Sequence, residues 1–284
     1  MWRLEVPHIN TSKADIESAL TLLDGTPVYP VTEIEKTRIL ELYSLYDSHQ
    51  GNPNETLKGT PAESPLLDAI YNAYSQIQKG GRLEDYRDRL KLNAELCPYC
   101  GFGPITDLDH HLPRSKYKAH AIYARNLIPC CHPCNNLKRT KAGENPDGQF
   151  SHVYFGEYPD AGFLTAETTV LPTGLVVKFS VNHIATLDSN EFERLHFQFT
   201  TLNLDMRYKV PVNTFLGTLR TSIESFAALG SPALKAFLDR CHLASCRDFG
   251  PNHWQSALLK GLADSNDFCS GGFVHCFGRK DPAV

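Results

Sequence analysis

The apolar positions in the first third of the chain recur every three or four residues. Ile16, Leu20 and Leu23 form such a stripe behind Thr11 or Ser12 as the N-cap, with Asp15 and Glu17 in the first turn, and predict a helix ending near Gly25. A second helix is predicted from Thr32, with Ile34, Ile39, Leu40, Leu42 and Tyr43 facing inward. Residues 47–64 are rich in turn formers and predict a mobile polar loop. Two more helices follow, Pro65 to Gln78 (Leu66, Leu67, Ile70, Tyr71, Tyr74) and Leu83 to Glu95, while residues 1–10 read as a strand or an arm over the core. Past the middle the pattern changes. Phe150 to Phe155 alternates like a strand, and residues 161–182 read as a hairpin of Phe163, Val170, Leu175, Val177 and Phe179 around Pro172-Thr173-Gly174. Helical spacing returns at Ser189. It gives a long helix through Phe215, Leu219, Ile223, Phe226 and Leu229 to Gly230, then helices over Leu234–Leu243 and Trp254–Leu262, before a Gly/Ser-rich tail from Asp264. The class is α+β, and the organisation is a helical region over 1–95, a cysteine-bearing core over 96–156 and a mixed hairpin and helical region over 157–284.

The core carries the chemistry. Cys97-Pro98-Tyr99-Cys100-Gly101 and Cys131-His132-Pro133-Cys134-Asn135 are two Cys-x-x-Cys knuckles, the pairing that a tetrahedral zinc site uses. Gly101 follows the first knuckle, where a positive φ is often needed. Cys130 lacks the two-residue spacing to Cys134 and reads as a spectator; Cys241, Cys246, Cys269 and Cys276 match no common knuckle and read as ordinary thiols. Between the knuckles stand Asp109 and His110, which point to opposite faces if they lie on a strand, then Pro113, and then Asn126.

In this order (Cys-x-x-Cys, Asp-His-x-x-Pro, Asn-Leu, Cys-x-x-Cys-Asn, with Lys138 and Arg139 beyond) the stretch resembles the HNH endonucleases, the ββα-metal or His-Me finger family, in their zinc-stapled form. The resemblance covers about a sixth of the chain. It implies a zinc-stapled ββα core in a mainly helical scaffold, with structural Zn²⁺ on Cys97, Cys100, Cys131 and Cys134. It implies His110 as general base, Asp109 and Asn135 as ligands of a catalytic Mg²⁺ or Mn²⁺, and Asn126 as the residue bracing the loop and orienting the histidine. A neutral imidazole suits proton abstraction from water, and a hard cation on oxygen ligands suits charge relief at phosphate. His111 competes with His110, the motif register favouring His110; His120 and His132 are assigned nothing, and His152 is a further residue able to face the site. Stand-alone proteins resembling this one include nuclease effectors of anti-phage defence, some paired with an ATPase, so a protein partner of that kind is a further expectation.

Net charge is −4 over 284 residues, against a whole surface built for nucleic acid. Between Cys97 and Lys141, however, seven basic residues face two acidic ones. Arg114, Lys116, Lys118, Lys138 and Arg139 are therefore the candidate nucleic-acid contacts, with DNA the expected substrate and nothing to separate it from RNA. A non-catalytic zinc ribbon that binds nucleic acid or protein, or a nuclease silent until a partner engages it, would show the same charge pattern. No run of eighteen apolar residues is present, and the start lacks an apolar signal region, so a cytoplasmic protein without a membrane span is expected.

Overall fold

The computed structural model describes residues 3–277. The chain divides into two compact units, one running to Glu157 and one from Tyr158. Its class is α+β, with mostly helical elements and, among the described residues, two separate two-stranded antiparallel sheets.

The first unit opens with an extended arm. Leu4 N–H donates to the Val153 carbonyl at 2.8 Å, and Arg125 and Asn93 donate to the carbonyls of Pro7 and Glu5. Helix α1 (Ser12–Ala19) is shorter than its apolar stripe suggested, so Leu23 lies beyond it and is exposed. Helix α2 (Glu33–Ser48) begins with a capping box in which Thr32 and Glu35 bond each other's backbone N–H. Ile39, Leu42, Tyr43 and Tyr46 are its buried face. Ile34, expected inward, is exposed: five residues before Ile39, it lies about 140° round the helix from it. The polar loop expected over 47–64 holds two 3₁₀ turns and a fully buried Leu57, which anchors it to the core. Helices α3 (Ser64–Ala73) and α4 (Glu84–Lys91) follow.

Strands β1 (Asp107–His110) and β2 (Leu127–Cys130) form a short hairpin, with Asp109 opposite Ile128 and His110 opposite Leu127, and α5 (His132–Lys138) closes the ββα unit. One buried cluster joins the helices to this unit, running from Ile16, Ile39, Leu42 and Ile70 to Leu112, Ile122, Tyr123 and Leu127. At about 1.5–3 kcal/mol per buried large apolar side chain, that shared core fixes the hairpin to the helices. The strand expected over Phe150–Phe155 is absent. Its residues find no partner strand and form a turn at Val153–Phe155, with Phe150 through Tyr154 all buried.

The second unit pairs β3 (Leu164–Leu171) with β4 (Gly174–Val181) in the expected hairpin. Helices α6 (Ser189–Thr201), α7 (Leu204–Ala227), α8 (Ser231–Phe249), α9 (Trp254–Asp264) and α10 (Asn266–Cys269) complete it. Helix α7 starts well before the expected stripe and runs through Pro211, whose ring disfavours a helix interior by about 3 kcal/mol. Burial of Leu204, Tyr208, Val212, Leu216 and Ile223 outweighs that, whereas Leu229, expected on the inner face, is exposed. Gly261 of α9 lies against β3 so closely that a Cβ would sit 2.1 Å from the Ala166 carbonyl oxygen. The expected Gly/Ser-rich tail is α10 and a 3₁₀ turn over Gly272–His275, with residues 278–284 outside the described part. Among the described residues no helix is long and apolar enough to cross a membrane.

Candidate metal centre and the ββα site

The two knuckles meet. Cys97, Cys100, Cys131 and Cys134 are buried, and their sulfurs all lie within 4.8 Å of one another. Cys100 and Cys131 Sγ are 3.8 Å apart, the separation that two ligands about 2.3 Å from a tetrahedral zinc adopt. The first knuckle is built for this. Gly101 takes φ +80°, its N–H bonds the Cys97 carbonyl at 2.7 Å, and Gly103 N–H points at Cys100 Sγ. A Cβ on Gly103 would lie 2.7 Å from Cys131 Sγ, so only glycine lets the knuckles close. The crowded sulfurs compete for protons: their mutual hydrogen bonds push the Cys100 thiol down, and burial pushes Cys97 up. Cys130 is buried in β2, outside the cluster. Among the described residues no second group of three or more His, Cys, Asp or Glu side chains gathers in this way, Cys241, Cys246, Cys269 and Cys276 included.

His110 ends β1. Its ring lies 4.4 Å from that of Tyr74, and its Nε2–H donates to the Ala121 carbonyl at 2.9 Å, which leaves the lone pair on Nδ1. Burial, with Arg114 and Lys138 nearby, lowers its pKa to about 3 and keeps the ring neutral. Asn126 braces the segment that follows. Its amide donates to the carbonyls of Leu112 and His120, and its oxygen accepts from Leu112 N–H at 2.7 Å and from the Tyr46 hydroxyl at 3.1 Å.

His152 lies behind this brace. Tyr154 N–H donates to its Nδ1, so Nε2 carries the proton and donates to the Tyr46 hydroxyl at 2.9 Å. The sequence missed Tyr46, because a tyrosine on an apolar helical stripe carries no sign that its hydroxyl reaches across to Asn126. His111 is buried, its ring 4.0 Å from that of His152.

Asp109 and Asn135 take different partners. Asp109 is buried, with Lys138 Nζ and the Tyr99 hydroxyl each 2.9 Å from its Oδ2. Burial raises its pKa, against the restraint of those two partners. Asn135 instead donates to Asp107 Oδ2 at 2.9 Å, and so does His132 Nδ1 at 2.9 Å. Burial works upward on the Asp107 carboxyl, but the hydrogen bonds from Asn135, His132 and Thr106 outweigh it and hold the pKa below the usual range.

Lys138 is corrected as well. Expected on a phosphate-binding face, it is fully buried and donates to the carbonyls of His110 and His111. Of the other basic candidates, Lys116 and Arg139 are exposed, Lys118 pairs with Asp68, and Arg114 stacks over the rings of Tyr71 and Tyr74 at 4.6 and 4.8 Å.

Buried neutral histidines give this unit a pH dependence. Desolvation lowers His120 to about 4 and His152 to about 3, whereas an unfolded histidine titrates near 6.5. Between those values the unfolded chain binds more protons, so stability rises with pH by about 1.4 kcal/mol per unit for each group. Urea unfolding is expected to show stability present above about pH 7 and lost steadily below 6.5. The slope should be shallower in His120→Asn, and an unchanged slope there contradicts the assignment.

The chain is similar to Protein ea31 of Escherichia phage lambda. The two are 25% identical over 250 residues, spanning 81% of this chain and 82% of that protein. The matched share is longer than either compact unit, so it includes residues of both. No family model matches the sequence, and no solved structure matches it.

Proposed function

We propose that the ββα unit is a zinc-stapled nuclease of the HNH type, hydrolysing phosphodiester bonds in DNA. The observation that carries this reading is the setting of His110: it sits at the end of a hairpin held between two cysteine knuckles, with Nε2 tied to a carbonyl and Nδ1 left as the base. Water gives a proton to Nδ1 as its oxygen forms a bond to phosphorus, and the bond from phosphorus to the leaving oxygen breaks, that oxygen taking up a proton from solvent. The ring is a weak base in the unliganded chain. An anionic phosphate beside it favours the protonated ring and, by pairing with Arg114, removes part of the repulsion that depresses its pKa. Asn126 acts through the loop as a positioning residue, and Arg114, Lys116 and Arg139 are the basic side chains offered to the backbone. A divalent cation, when bound, relieves charge on the phosphate. The ligand pair expected for it, Asp109 and Asn135, does not fit, because Lys138 already neutralises Asp109 and Asn135 faces Asp107.

That same ion pair favours a second reading, a zinc ribbon that binds without cutting, or a nuclease that a partner such as an ATPase must open. Supercoiled plasmid with Mg²⁺ or Mn²⁺ separates them. Relaxed or linear product is expected from the zinc-loaded chain, lost with EDTA and reduced about 100-fold or more in His110→Ala of unchanged zinc content. Product that persists in His110→Ala moves the base elsewhere, and no product from any folded form favours the second reading.

A further inference from the structure

Strand alternation places Asp107 and Asp109 on the same face of β1, and α5 lies along that face. Residues one helical turn apart on α5 meet them in order, Asn135 at Asp107 and Lys138 at Asp109. The two carboxylates therefore have different fates. The Asp109 side chain is 3% exposed, and an ammonium and a phenol already converge on one of its oxygens. A divalent ion there would stand against a buried positive charge with no solvent to screen it. The Asp107 side chain is 23% exposed, its partners beside the Thr106 hydroxyl are an amide and an imidazole, and the imidazole is 73% exposed. Neither neighbour carries an obligatory charge, and each holds a lone pair that can turn to a cation: Oδ1 of Asn135 after an amide flip, and Nδ1 of neutral His132.

We infer that this protein binds a divalent cation at Asp107, His132 and Asn135, and that Asp109 with Lys138 is a structural ion pair in the place where the motif suggests the metal. The inference refines the metal position in the proposed nuclease. A carboxylate, an amide oxygen and an imidazole form a mixed O/N set, which favours Mn²⁺ over Mg²⁺ and leaves positions for water or phosphate oxygen.

The test reads binding without nucleic acid. Zinc-loaded full-length protein is titrated with Mn²⁺, free Mn²⁺ being followed by electron paramagnetic resonance, and the bound ion is examined for coupling to a histidine nitrogen. One site is expected in the wild type. Asp107→Asn should weaken it about tenfold or more, since losing a ligand costs at least what losing an outer partner does. His132→Ala, at an exposed position, should abolish the nitrogen coupling. The paired variant Asp109→Asn/Lys138→Met, which keeps the buried site uncharged, should bind as the wild type does once its zinc content and melting are confirmed. Absence of Mn²⁺ binding to the wild type overturns the inference. So does affinity unchanged in Asp107→Asn, or affinity lost in the paired variant with its fold intact. Cleavage is scored separately: binding at Asp107 without nicking counts against a nuclease active on its own and leaves the site, and nicking with binding that depends on Asp109 does the reverse.

Discussion

Stripping zinc from the chain, or replacing Cys131 with serine, is expected to unfold the unit that ends at Glu157. Regular structure is sparse where the knuckles sit. Between α4 and β1 the backbone forms no regular element and is held by an isolated bridge, Leu96 to Pro104, by the turn bonds of Cys97, Gly101 and Gly103, and by Thr106 N–H to the Cys130 carbonyl. The second knuckle leads straight into α5, so the four sulfurs join the loop before β1 to the helix that covers it. Structural zinc in small modules contributes on the order of 10 kcal/mol of apparent folding free energy, comparable with the whole stability of a domain, about 5–15 kcal/mol. Without the ion, four buried thiols crowd together with no cation to hold them and the hairpin loses its anchor. Metal analysis should give one zinc per chain. A strong chelator should remove the melting transition of this unit, while the unit from Tyr158, which holds none of the four ligands, keeps its own. A metal-free protein that melts as before, or a Cys131→Ser variant with unchanged stability, would dismiss the zinc assignment.

Local chemistry was legible where it is written in spacing. The two knuckles, the positive φ at Gly101, the hairpin around Pro172 and the Thr32 cap all follow from residue type and interval. The helices were legible in kind, but their ends and inner faces were less so. Leu23, Ile34 and Leu229 are apolar and exposed because apolar type marks a helical face only where the helix continues and a neighbour covers it. The segment from Phe150 to Tyr154 alternated like a strand, yet a strand needs a partner, and periodicity cannot supply one. The site shows the same division. The motif offers His110 and Asn126 as candidates. It does not give the partner of each carboxylate, since that depends on the register of α5 against β1, which pairs Asn135 with Asp107 and leaves Asp109 to Lys138. A lysine three residues past an asparagine looks like surface charge until the helix is placed.

Lys138→Met is expected to destabilise the protein by about 3–5 kcal/mol at pH 7. The ammonium is fully buried and makes three polar contacts, to the carbonyls of His110 (2.6 Å) and His111 (3.2 Å) and to Asp109 Oδ2 (2.9 Å), with the Phe150 ring 5.6 Å away. Removing it leaves the Asp109 carboxylate buried with no opposite charge, held by the Tyr99 hydroxyl and the His110 backbone N–H. The cost has a sign in pH. Burial already pushes the Asp109 carboxyl above its ordinary value, and without Lys138 the restraint is gone. In the variant the folded-state pKa then lies further above the unfolded value near 3.9, so the folded chain binds the extra proton, and stability falls as pH rises through that folded pKa. Urea unfolding should therefore show the gap between wild type and Lys138→Met widest near pH 7 and narrowing toward pH 5. Pairing it with Asp109→Asn removes the stranded charge, and the double variant should be more stable than the sum of the single losses by about 0.5–3 kcal/mol. A gap that does not change with pH, or single losses that simply add, would mean that Lys138 acts through its packing and its two carbonyl bonds alone, and Asp109 would again be open to a metal.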